Sequence, residues 1–134
     1  MEKEYNIADK LFDSGNYLDA FEIFKKISKS NHVSNFEISD ALNMMGVIIL
    51  IDPNIDPEDE SGFKYFSKSI DFNPENIDAL LNIIGGFGLA VNNHRDTEKL
   101  NLAINTIHSI NYNFSSQEKV MINQKIKLSK LLKN

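Results

Sequence analysis

The sequence predicts an all-α fold: an antiparallel solenoid of helix hairpins, about seven helices long, ending in a C-terminal capping helix. Three observations carry this. Apolar residues recur at the three-to-four spacing of a helix face, and strand-like alternation is scarce. Only three prolines and six glycines interrupt 134 residues, so long segments are free to be helical. Residues that satisfy the orphan N–H groups of a helix start recur along the chain.

The pattern places helices at about 3–14, 17–30, 35–51, 57–72, 74–92, 96–111 and 116–132. Gly15 separates the first two as a tight turn. Ser34 with Glu37 opens the third, and Ser115 with Glu118 the seventh, at the spacing of a capping box, in which each side chain takes the other's backbone N–H. Asp56-Pro57 and Asn73-Pro74 each set a capping residue before a proline suited to a first helical position, predicting starts at 57 and 74. Glu58, Asp59 and Glu60 suit the positive end of the helix expected after Asp56. In the last helix Val120, Ile122, Ile126, Leu128, Leu131 and Leu132 stand among lysines, as expected of a polar-backed cap. Connections are short, so neighbouring helices are expected to be antiparallel.

At 42% hydrophobic the chain can bury a core, and its length suits one domain spanning 1–134. With no cysteine it offers no disulfide, thiolate nucleophile or thiolate metal site, which fits a reducing compartment. Met1-Glu2-Lys3-Glu4 lacks a signal-peptide core, and the longest apolar run, 47–51, is too short to span a bilayer. The expectation is a cytoplasmic protein with no membrane partner. Charge is uneven along the chain. Residues 1–118 hold nine basic and all nineteen acidic groups, a balance of −10, whereas 119–134 hold five lysines and no acid. So acidic a body repels phosphate backbones and attracts basic proteins, which points away from nucleic acid and toward a protein partner of basic or mixed charge.

Ala8-x-x-Leu11-x-x-x-Gly15-x-Tyr17-x-x-Ala20-x-x-x-Phe24-x-x-Ile27 resembles the tetratricopeptide repeat. Small residues at 8 and 20 let two helices approach, and Tyr17 and Phe24 fill the space between them. A looser second copy puts Gly46 at the place of Ala8, Gly62 at that of Ala20 and Phe66 at that of Phe24, with Pro74 closing the unit. Its four extra residues extend the loop around 52–56, as in the related Sel1-like repeats. A third copy echoes Leu42-Asn43-Met44-Met45-Gly46 in Leu81-Asn82-Ile83-Ile84-Gly85. The repeats run about 1–34, 35–74 and 75–112, with the capping helix at about 115–132.

Little in the sequence suggests chemistry. His32, His94 and His108 are isolated from one another, and no nucleophile elbow or phosphate loop is present. Gly85-Gly86-Phe87-Gly88 follows no strand and precedes no lysine of a phosphate loop, so close packing or a kink explains it better. Asp52, Asp56, Glu58, Asp59 and Glu60 form an acidic cluster whose prolines break a calcium-loop pattern; it reads as helix-start chemistry or as a docking loop for a basic partner. No catalytic residue, metal or cofactor is expected.

The resemblance implies that the first helix of each pair lines a concave groove. Its groove positions fall on Tyr5, Asp9, Phe12 and Asp13, on Asp40, Asn43, Val47 and Leu50, and on Asn82, Gly85, Gly86 and Leu89. Relatives that clamp a C-terminal carboxylate use basic and amide residues, but Tyr5 stands here at a lysine place and Asp9 at an asparagine place, so a basic or mixed ligand fits better. The expected function is a non-enzymatic protein-interaction module, monomeric or weakly dimeric. In its sharpest form it is a bacterial immunity or antitoxin-like protein that covers a basic, nuclease-like toxin; the Asn-, Ile- and Lys-rich composition suits an AT-rich bacterial source. The alternative is a chaperone or adaptor holding an amphipathic peptide in the groove. Least favoured is a small enzyme or ligand sensor built on His94, Arg95 and the glycine-rich helix.

Overall fold

The computed structural model describes residues 2–59, 61–87, 90, 96–110 and 112–132. Among these the chain is all-helical and without strands: α1 (Glu2–Asp13), α2 (Tyr17–Ser28), α3 (Asn35–Ile51), α4 (Phe63–Phe72), α5 (Ile77–Gly86), α6 (Thr97–Ser109) and α7 (Ser116–Leu131), with one 3₁₀ turn at Pro53–Ile55. Each of the first six helices packs on its sequence neighbour, and α7 packs back on α5.

The α1–α2 hairpin follows from local chemistry. Gly15 adopts φ +85°, and the N–H groups of Gly15 and Asn16 reach back to the carbonyls of Phe12 (3.0 Å) and Leu11 (2.8 Å). This pair of bonds closes a helix on a left-handed residue, where glycine alone bears no Cβ penalty. Ala8 and Ala20 are fully buried where the two helices meet. Tyr5 packs edge-on against Phe24 at 5.3 Å and Phe12 against Tyr17 at 5.5 Å.

Between α3 and α4 the approach is closer still. A Cβ at Gly62 would lie 2.4 Å from the Gly46 carbonyl oxygen, and one at Gly46 would lie 2.4 Å from the Phe66 ring. These two glycines thus set the helix separation, and the buried Phe66 fills the space beside them. The core forms two clusters. Phe21, Phe24, Ile27, Met45, Ile48 and their neighbours fill α1 to α3; Phe63, Phe66, Leu80, Ile84, Leu100 and Ile126 fill α4 to α7. Val47 of α3 packs on the second cluster and Tyr65 of α4 on the first, so the α3–α4 pair joins them.

Two expected helix starts are corrected. The fourth helix begins at Phe63, six residues beyond the Asp56-Pro57 signal. Asp56 instead turns back onto α4, accepting from the Lys64 ammonium (2.9 Å) and the Tyr65 hydroxyl (2.7 Å). The helix start is served from the loop: Asp59 accepts the Lys64 N–H (3.0 Å), and Ser61 accepts the Phe63 N–H (3.3 Å). Likewise the fifth helix begins at Ile77, where Asn76 accepts the Ala79 N–H (3.2 Å). Asn73 ends α4 and takes the Glu75 N–H in a local turn. α5 is helical to Gly86; most of the remainder of its expected span, to 92, lies outside the described residues. Ser34 caps α3, Asp96 caps α6, and Ser115 with Glu118 forms the full capping box of α7.

Candidate functional site: an acidic, amide-lined face on α1, α3 and α5

Of the expected groove residues, the structure brings Asp9 and Asp40 within electrostatic reach of Tyr5, and adds Asp78 beside Tyr5 and Asp40 and Glu37 beside Asp40. Burial pushes the Tyr5 phenol above its ordinary range, and the charges of Asp40, Asp9 and Asp78 push it further. Asp40 is held above the usual carboxylate range first by burial, then by Asp78 and Glu37, against the lowering effect of a hydrogen bond from Asn76. Asp9 is raised by burial and by Asp13. None of these five carboxylates lies within an ion-pair contact among the described residues. A pocket of about 250 Å³ opens between α1 and α3, lined by Tyr5, Asn6, Glu37 and Asp40.

Amide rungs tie α3 to α5 beneath this charge. The Asn82 amide donates to the Asn43 carbonyl oxygen (2.9 Å), and the Asn76 amide donates to Asp40 (3.2 Å) and to the Ser39 hydroxyl (2.9 Å). The Ser39 and Ser69 hydroxyls each donate to the other residue's carbonyl, at 2.8 and 2.7 Å, which locks α4 into the same network. Ser39, Ser69 and Asn76 are buried, so these bonds form where an unmade one is expensive.

The other expected residues fall into different settings. Phe12 is half-buried against Tyr17, and Asp13 is exposed. Asn43 is buried and engaged by Asn82, Val47 packs into the second core cluster, and Leu50 is exposed near the end of α3. Gly86 is buried, whereas Gly85 is exposed beneath the Lys125 side chain of α7. Leu89 lies outside the described residues, as do Gly88, His94 and Arg95. Glu37, Asp78 and Asn76 went unread as face residues. A signal for Asp78 existed: it stands 38 residues after Asp40, one short of the 39-residue interval at which Leu81-Asn82 echo Leu42-Asn43.

The acidic loop is partly turned inward. Asp59 is fully buried, with one carboxylate oxygen accepting the Ser61 hydroxyl (3.1 Å) and the other the Lys64 N–H. Asp56 is desolvated, yet its bonds from Tyr65 and Lys64 outweigh that and hold its carboxyl below the ordinary range. Asp52 caps the end of α3, Glu58 is exposed, and Glu60 lies outside the described residues. Among the described residues no group of three His, Asp or Glu side chains could hold a metal ion, and no helix is long and apolar enough to cross a membrane.

Comparison with family models, with curated proteins and with solved structures gives no match.

Proposed function

We propose that this chain is a non-enzymatic, tetratricopeptide-like interaction module whose α1–α3–α5 face takes a basic segment of a protein partner. One observation carries the reading: Asp9, Asp13, Glu37, Asp40 and Asp78 accumulate on α1, α3 and α5 with no cation paired to them among the described residues, and burial first, then the neighbouring carboxylates, makes Asp9, Asp40 and Tyr5 harder to ionise than usual. A lysine or arginine brought to this face relieves that mutual repulsion, and the exposed Asn6 amide and half-buried Tyr5 phenol that line the α1–α3 pocket supply neutral acceptors beside it. The sharpest form of the proposal is an immunity-type protein that covers a basic, nuclease-like toxin, because an acidic cover opposes both the toxin's charge and its substrate's approach.

The test is titration of the full chain with a lysine/arginine-rich peptide and with its glutamate-rich counterpart, followed by assay of the neighbouring gene's product for nuclease activity with and without the chain. Selective, salt-sensitive binding of the basic peptide, weakened at least tenfold in the Asp9→Asn/Asp40→Asn/Asp78→Asn variant, is expected. Equal binding of both peptides, or full retention in the triple variant, overturns the face as the site. An adjacent product that is not inhibited overturns the immunity form alone.

A further inference from the structure

We propose that α7 carries a second docking seam, separate from the acidic face, that accepts an amphipathic helix with acidic flanks from a protein partner. α7 has two apolar faces. Ile122 and Ile126, with Ser129, are buried against the body of the protein. At about 100° of rotation per residue, Val120, Met121, Gln124, Leu128 and Leu131 fall within an arc of about 100° on another side of the helix. The apolar members of that arc are 55%, 55%, 59% and 71% exposed. From Met121 the row steps 3, 4 and 3 residues through Gln124 and Leu128 to Leu131, the spacing of a helix-packing seam. No element among the described residues covers it. α1 pairs with α2, α3 with α4 and α5 with α6, but α7 meets only α5 in comparable contact.

The charges beside the seam select its occupant. Lys127, with Lys119 and Lys130 further round, borders one side, and Lys125 borders the other, with Glu118 the only acid on the helix. Lys125 also lies over the exposed Gly85 of α5, where even a Cβ would stand in ordinary contact, 3.5 Å from the ammonium nitrogen. A second copy of α7 laid on this seam would set lysine against lysine. A helix with an apolar seam and glutamate or aspartate flanks instead pairs its charges along both borders and buries Val120, Leu128 and Leu131. Leu81 and Met121 line a small cavity with Glu118 and Lys125 at the α5–α7 border, where one edge of such a helix would rest.

The experiment uses the full chain and two designed helical peptides of four heptads, each with leucine along its seam, one flanked by glutamates and the other by lysines. Fluorescence anisotropy should show binding of the glutamate-flanked peptide only. That binding should weaken at least tenfold in Leu128→Asp/Leu131→Asp, whose positions are exposed and whose helicity is checked by circular dichroism. Lys125→Glu/Lys127→Glu should shift preference toward the lysine-flanked peptide, and Asp9→Asn/Asp40→Asn, which alters the acidic face, should change neither. Failure of the glutamate-flanked peptide to bind at millimolar concentration, equal binding of the two peptides, or binding that survives Leu128→Asp/Leu131→Asp overturns the proposal. So does a homodimer in sedimentation velocity that Leu128→Asp dissolves, or Leu128-dependent uptake onto phosphatidylserine vesicles, since each names a different occupant.

Discussion

Replacing Gly62 by alanine tests the close approach of α3 and α4 more directly than any core truncation. The added Cβ would stand 2.4 Å from the Gly46 carbonyl oxygen, about 1 Å inside ordinary contact, and that oxygen belongs to the backbone of a buried helix rather than to a mobile side chain. Overpacking of this kind costs about 1–3 kcal/mol. Gly62 also has φ +71°, where an L side chain adds about 1–2 kcal/mol. Alanine recovers about 0.4–1 kcal/mol by narrowing the unfolded ensemble, which leaves a net loss on the order of 2–4 kcal/mol. Gly15→Ala supplies the control. Its φ is +85° and nothing lies within 4 Å of its would-be Cβ, so only the backbone cost remains, about 1 kcal/mol after the same offset. Urea unfolding followed by circular dichroism reads both, with an unchanged slope showing that the transition stays comparable. A Gly62→Ala loss within about 0.5 kcal/mol of the Gly15→Ala loss would refute the steric part of the argument, because the two sites differ in surroundings and not in backbone class.

Asn76→Ala should cost about 2–4 kcal/mol, since it removes a helix cap and leaves the buried Ser39 and Ser69 hydroxyls short of a partner, whereas Asn73→Ala, which loses one exposed turn bond, should cost less than about 1 kcal/mol; denaturant midpoints compare them. Asp40 has a folded-state pKa raised above its unfolded value, so its contribution is full below the ordinary aspartate range near about 4 and is lost as pH rises through the folded value. Asp40→Asn, which can still accept from Asn76, should therefore be more stable than the parent at pH 7 and lose that advantage at pH 3 in thermal melts. Asp56 runs the other way: its folded pKa is depressed, its contribution is full above the ordinary aspartate range, and it is lost as pH falls through the folded value. Tyr65→Phe, which removes one of the bonds that depress it, should flatten the acid limb of the stability curve.

What the sequence by itself determined about this protein is what depends on near neighbours in the chain. Ser34 and Ser115 cap their helices because a hydroxyl three residues before an N–H needs no help from elsewhere. Gly15 turns the first hairpin because only its own φ is at stake. The small residues at 8, 20, 46 and 62 were legible as approach points, because a residue without a large side chain marks where two backbones can come close. Tertiary structure decided the rest. Asp56 and Asn73 carry the same local start signal as true caps, yet Asp56 is drawn to Lys64 and Tyr65, and the start of α4 passes to Asp59 and Ser61, where the Gly46–Gly62 contact holds the loop down. A capping signal states which N–H groups can be satisfied, and packing chooses which side chain does it. The joining of Asp78 to Asp40, and the second apolar face of α7, likewise became visible only when α3, α5 and α7 stood side by side, because the charge that surrounds a residue and the surface that covers it are set by distant segments of the chain.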